Sequence, residues 1–286
     1  MKLTFTKMHG LGNDFVVIDD RDVVIDLDPD AVAWLCDRHF GVGADGVILV
    51  RPASAPDADF MMLYFNADGT TAEICGNGVR CFVRYLVDHG LAGSETIGVQ
   101  TLGGVRRVAT AFDAAGAFEA ATVDMGEPGL APADIPTTLP GEDAVIGASL
   151  TTPVGTFEVT CVSMGNPHAV LWVDDVDTAP VAAVGPAIET SDAFPNKTNV
   201  EFAQIAEDGV IRLRVWERGV GETLACGSGA CATVVAASLA GLIDREAVIE
   251  LPGGDLVVRW AEDGSVYMTG PAEEAFTGSI DLGNEA

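Results

Sequence analysis

Lysine is nearly missing from this chain of 286 residues: Lys2, Lys7 and Lys197 are its whole complement. Lys and Arg together number 15 against 43 Asp and Glu, leaving a formal net charge of −28. Such a field repels phosphate backbones and anionic membranes, so it argues against nucleic-acid binding by counterion release and against a membrane-surface role. The acidity is spread along the chain and not gathered in a tail. It therefore reads as a solvation strategy suited to a salt-rich cytoplasm, where screening removes most of the self-repulsion. An acidic face built for one basic partner is the alternative. Also missing is an apolar run in the opening MKLTFTKMHGLGNDF long enough for a secretory signal. Without one, the six cysteines are expected as reduced thiols in a cytosol. No Cys-x-x-Cys occurs, which disfavours a thiol redox protein. Residues 223–243 carry no charge and have the length of a membrane span, yet they are rich in Ala, Gly, Ser and Thr. A buried helix is expected there.

What is present is a well-packed composition, 48% apolar and 20% charged, with length enough for two domains. The chain also matches itself at an offset near 150. Gly12-Asn13-Asp14-Phe15 answers Gly165-Asn166-Pro167-His168, each followed by an apolar run ending in Asp. Asn66 stands nine residues before Cys75-Gly76-Asn77-Gly78, and Glu217 nine before Cys226-Gly227-Ser228-Gly229. Leu102-Gly103-Gly104-Val105 parallels Pro252-Gly253-Gly254-Asp255. Matches in one order indicate two homologous halves. Residues 128–153, with five prolines and no clear periodicity, read as the linker. β-Branched or alternating runs at 15–18, 47–50, 99–102, 169–173 and 211–216 predict strands. Asp28-Pro29 predicts a helix start, with the helix running to His39 and closed by Gly41. Gly76–Asp88 and Gly227–Leu239 have helical length, with Gly90 and Gly241 as C-caps. The fold class expected is α+β: two pseudo-symmetric domains, each a curved, mainly antiparallel sheet wrapped round a central helix.

Each Cys-Gly-x-Gly turn puts a thiol at a helix N-terminus, where exposed amides and the helix dipole are expected to lower its pKa toward neutrality. The glycines leave bare N–H groups that can bind a carboxylate. Two such turns, one per half, supply what inversion of a carboxylate-bearing carbon needs. One group removes the α-proton from one face and the other delivers a proton to the opposite face. Other readings stand beside this one. A metal site could draw on Cys75, Cys81, Cys226 and Cys231, but on a helix at about 100° per residue the paired positions point roughly 240° and 140° apart. No metal is therefore expected. A Cys75–Cys226 disulfide would be an oxidised, inactive form. Buried structural thiols are the reading for Cys36, Cys81, Cys161 and Cys231. Acidifying an amino acid's α-carbon usually employs pyridoxal phosphate on a Schiff-base lysine. No lysine here sits in such a motif, so no cofactor is expected.

The residues just quoted resemble the diaminopimelate epimerases over nearly the whole chain. The resemblance rests on Met8-His9-Gly10-Leu11-Gly12-Asn13-Asp14-Phe15, on Phe65-Asn66-Ala67-Asp68-Gly69, and on Cys75-Gly76-Asn77-Gly78-Val79-Arg80-Cys81. Met164-Gly165-Asn166-Pro167-His168, Asn199-Val200-Glu201-Phe202 and Glu217-Arg218-Gly219-Val220-Gly221-Glu222-Thr223 continue it, ending in Cys226-Gly227-Ser228-Gly229-Ala230-Cys231. It implies a pyridoxal-independent enzyme converting LL- to meso-2,6-diaminopimelate, in lysine and cell-wall precursor synthesis. Cys75 and Cys226 would be the thiolate/thiol pair. Amides of Gly76, Asn77, Gly227 and Ser228 would hold the carboxylate at the reacting carbon. Asn13, Asn66, Asn166, Asn199, Glu217 and Arg218 would recognise the substrate, Arg218 through a bidentate carboxylate pair. His168 and Glu217 would tune the thiols.

The resemblance further implies a homodimer, with Phe276 in its interface, and halves that exchange their last strands. The halves are expected at 1–120 plus 272–286, and at 121–271. Gly46 stands where some members carry a side-chain amide, so no binding role is assigned to it. His9, His39 and His89 are read as structural, and Arg80 and Arg84 as an exposed helix face. Two rival functions remain at this point: a proline- or hydroxyproline-type racemase on the same fold, and a non-catalytic amino-acid-binding protein.

Overall fold

The computed structural model describes residues 1–93 and 95–282, so positions 283–286 of the expected first half lie outside the described residues. The chain forms two compact units, one of Met1–Val123 with the chain from Thr269 on, the other of Asp124–Met268.

In the first unit the elements are β1 (Lys2–Gly10), β2 (Asn13–Asp19), α1 (Pro29–Cys36), β3 (Gly46–Pro52), β4 (Phe60–Asn66), α2 (Gly76–Asp88), β5 (Thr96–Thr101), β6 (Gly104–Phe112) and β7 (Phe118–Asp124). The hairpin β1–β2 turns on Leu11 and Gly12, both at positive φ (57° and 85°), the twist that joins two strands tightly. β2 and β3 then pair in parallel, as do β4 and β5. Parallel neighbours need a crossover, and α1 and α2 provide it. β3–β4, β5–β6 and β6–β7 are antiparallel. α2 packs against β1, β2, β3 and β4, burying Val79, Cys81, Phe82, Val83 and Leu86.

The second unit repeats that plan with β8 (Val145–Thr152), β9 (Gly155–Ser163), β10 (Pro167–Trp172), α3 (Val181–Glu189), β11 (Asn199–Ile205), β12 (Ile211–Glu217), β13 (Gly221–Thr223), α4 (Gly227–Leu239), β14 (Glu246–Leu251), β15 (Gly254–Trp260) and β16 (Val266–Gly270). β8–β9, β9–β10, β11–β12, β12–β13 and β14–β15 are antiparallel. β10–β11 and β12–β14 are parallel, bridged by α3 and α4. α4 is built of small residues, and Ala230, Ala232, Val234, Val235, Ala236 and Ala237 are fully buried on it. Small side chains let backbone approach the helix from several sides. Among the described residues no helix is long and apolar enough to cross a membrane. Finally β17 (Glu273–Asp281) returns to the first unit and pairs antiparallel along β1, from Lys2↔Asp281 to His9↔Glu273.

Three local expectations fail, each for a visible reason. Residues 128–153 are no linker: Ile135, Leu139, Val145, Ala148 and Leu150 enter the second unit's core, and β8 forms there. Proline density hid an apolar set that packs without regular period. α1 ends at Cys36, because the Asp37 carboxylate takes the His39 and Phe40 amides and so competes with helix bonding. Arg80 is not on an exposed face. It is fully buried and its Nε donates to the Pro271 carbonyl at 3.0 Å, while the Arg84 guanidinium binds the Ala272 carbonyl. These two arginines anchor the segment that leads into β17.

Candidate active site

Both Cys-Gly-x-Gly turns fold alike. Cys75 is the N-cap of α2 and Cys226 of α4, both with extended backbone (φ −135°, ψ 111° and φ −123°, ψ 106°). Each sulfur takes the place of a capping oxygen, accepting from the Gly78 and Gly229 amides at 3.4 Å. The second glycine of the Cys226 turn is placed by close approach. A Cβ at Gly229 would lie 3.3 Å from its cysteine sulfur and 2.9 Å from Glu201 Oε1.

Around Cys75 the first unit assembles a polar shell. The thiol faces Asn13 Oδ1 at 3.9 Å, and Asn77 Nδ2 donates to the same oxygen at 3.1 Å. Asn13 Nδ2 donates to Asp45 Oδ2 at 2.8 Å, so the amide orientation is set from behind. Asp45 in turn meets Arg38 at 2.7 Å, and Arg38 bridges to Asp14, which also pairs with Lys7. Although burial raises it, bonds from Arg38 and Lys7 hold the Asp14 carboxyl down at about 2. Asn66 is placed differently, in the turn after β4, where its Nδ2 donates to Thr70 Oγ1 at 3.0 Å. A Cβ at Gly46 would fall 2.5 Å from the Phe65 carbonyl, so the backbone leaves little room for any side chain there.

In the second unit Cys226 is buried and Ser228 Oγ lies 3.6 Å from its sulfur. Asn166 Nδ2 donates to Ser228 Oγ at 3.4 Å, and His168 Nε2 lies 3.0 Å from Asn166 Oδ1. The Arg218 amide donates to Asn199 Oδ1 at 2.9 Å, while the Asn199 amide donates to the Pro167 carbonyl. Asn199 thus ties the Arg218 segment to the strand carrying His168. Glu217 accepts from Thr223 Oγ1.

The expected drop in thiol pKa does not hold for Cys226. Burial pushes it well above its ordinary value, and the Glu217 and Glu201 charges push the same way. The bonds from Ser228 and Gly229 favour thiolate but are outweighed. Cys36 is pushed up by burial to about 11, and Cys81 and Cys161 to about 12, as inert core thiols would be. All six cysteines are present as thiols.

Two supports escaped the reading of single residues. Glu189, at the end of α3, holds the Trp216 indole at 2.7 Å, the Gly219 amide at 3.0 Å and Lys197 at 3.3 Å, bracing the Arg218 segment. Glu201 binds His168 Nδ1 at 2.6 Å. Its signal was in view, a carboxylate set between Val200 and Phe202 in the buried part of β11.

A family model described as diaminopimelate epimerase matches residues 5–131 and 160–274. The diaminopimelate epimerase of Thioalkalivibrio sulfidiphilus is 51% identical over 99% of this chain and 100% of its own length. That of Synechococcus elongatus is 46% identical over 99% of each. Among solved structures, a probable proline racemase from Agrobacterium radiobacter superposes with a TM-score of 0.73 over 99% of this chain and 94% of its own. Its sequence identity is 16%, a likeness of fold alone.

Proposed function

Because the chain belongs to the diaminopimelate epimerase family, we propose that it interconverts LL- and meso-2,6-diaminopimelate by removing the α-proton to one thiolate and delivering a proton from a second thiol. In one direction a thiolate takes the α-hydrogen: the C–H bond breaks, an S–H bond forms, and the electron pair stays on carbon. The second thiol then gives its proton to the opposite face of that carbon, its S–H bond breaking as the new C–H bond forms. The first cysteine ends as thiol and the second as thiolate, so the reverse reaction uses the same groups with roles exchanged.

The observation that supports this reading is the repeated turn: Cys75 and Cys226 each cap a helix and accept through sulfur from the amide three residues on. Amides of Gly76, Asn77, Gly227 and Ser228 suit the substrate carboxylate, where helix N-termini favour negative charge as it develops. Asn13 and Asn77 would meet substrate polar groups beside Cys75, and Asn166 those beside Cys226. Arg218 suits a carboxylate at the distal amino-acid end, with Asn199 holding its backbone amide, and Asn66 is a further substrate-recognition residue. Glu217 and His168 bear on Cys226. Its raised affinity for a proton fits the thiol, the donor, as its resting form.

The test is α-proton exchange in deuterated water with reduced protein, using LL-diaminopimelate with L-proline as control. Deuterium uptake and appearance of the meso isomer are expected with diaminopimelate alone. No uptake under reducing, high-salt conditions would sink the assignment. Exchange surviving in both Cys75→Ala and Cys226→Ala would remove the two-thiol mechanism.

A further inference from the structure

Glu201 has no part in the chemistry above, and it is the second unit's fully buried carboxylate at 0% exposure. It projects from β11 beside its parallel neighbour β10. Its Oε1 lies 2.6 Å from His168 Nδ1, its Oε2 is buried with no hydrogen-bond partner among the described residues, and the first turn of α4 rests against it at Gly229. From His168 the contacts run on through Asn166 and Ser228 to Cys226.

Donor and acceptor capacities restrict the protons in this chain. Asn166 Oδ1 can only accept, so His168 Nε2 must carry a hydrogen. Nδ1 then either donates to a Glu201 carboxylate or accepts from a Glu201 carboxyl. Either arrangement places two protons on the pair and leaves it neutral. Asn166 gives its N–H to Ser228 Oγ, and toward a Cys226 thiolate, which can only accept, the serine hydroxyl is the donor. Every bond in the series therefore points toward the Cys226 thiolate.

We propose that Glu201 is a positioning residue: it keeps His168 Nε2 protonated, and so fixes the donor direction of the series His168, Asn166, Ser228 that ends on Cys226 sulfur. The thiolate needs such a donor, because burial and the Glu217 carboxylate oppose its charge. The titratable groups around this array are Cys161 on β9, His168 on β10, Glu201 on β11, Glu217 on β12 and Cys226 itself. Burial raises the Glu201 carboxyl, and His168 opposes that rise.

This inference rests on Cys226 transferring a proton, so its test has one arm independent of turnover. With 15N-labelled histidine, His168 should show a protonated Nε2 at neutral pH. A bare Nε2 at neutral pH overturns the proposal whether or not the protein is an epimerase. In the second arm, Glu201→Gln should lower kcat/KM about tenfold and move the limb belonging to Cys226 about one unit toward higher pH, since the pair stays neutral while the thiolate loses its aligned donor. KM should stay within about twofold. Wild-type exchange with an unchanged pH profile in Glu201→Gln would overturn the positioning role and leave the proposed reaction standing. If Glu201→Gln fails to fold, the 15N arm on wild-type protein decides.

Discussion

A thiol at a helix N-terminus is subject to two opposed influences, and at Cys226 the structure decides between them. The amide of Gly229 and the hydroxyl of Ser228 favour thiolate, yet burial beside Glu217 and Glu201 prevails. In a Cys75→Ala background, alkylation of Cys226 by iodoacetamide should therefore stay slow at neutral pH and climb only above pH 9, the ordinary thiol value. Peptide mass spectrometry across pH reads this directly. A half-maximal rate below about pH 8 would contradict the assignment of burial as the stronger influence. The residue itself was legible in the sequence because a cysteine recurred before Gly-x-Gly in both halves. Its proton affinity was not, since neither Glu201 nor Glu217 is its neighbour in the chain.

At the scale of elements, the sequence foretold α2 and α4 within their observed limits, because a capping residue, a run of helical length and a closing glycine all agree there. It misjudged what surrounds them. Spacing alone put Arg80 and Arg84 on one face of α2 and suggested solvent, but that face meets the segment 271–272 arriving from the far end of the chain. Arg80→Met keeps much of the side chain's volume and leaves the Pro271 carbonyl without its donor. A loss of about 2 kcal/mol is expected, the cost of stranding a buried acceptor that had a charged partner. The urea midpoint should fall with little change in m. A midpoint equal to wild type would mean that β17 is held in place without this bond. The segment 128–153 shows the same limit: Ile135 and Leu139 belong to a core that no periodicity announces.

For the whole molecule, the charge of −28 over 286 residues is a property of composition and owes nothing to the site. Self-repulsion of that size opposes the compact state at low ionic strength, and salt with a Debye length of about 3 Å at 1 M screens it. Tm should therefore rise by roughly 5 °C or more between low and molar salt, on the order of 2 kcal/mol in a protein of this length. Scanning calorimetry across potassium chloride concentrations checks this. A flat response would assign the acidity to a basic partner instead of to the solvent.

Repetition, capping and composition are local or additive properties, so the sequence by itself determined the doubled α+β plan, the two capped helices and the family. The meeting of Glu201 with His168, of Asp45 with Asn13, and of Arg80 with Pro271 was decided by tertiary structure alone. Each joins residues far apart in the chain, and its energy comes from burial and hydrogen bonding that exist only once strands and helices have packed. The lysines show the contrast in one residue type. Their scarcity can be counted without a fold, but only the fold reveals that Lys7 is buried against Asp14 while Lys197 braces Glu189 at the surface.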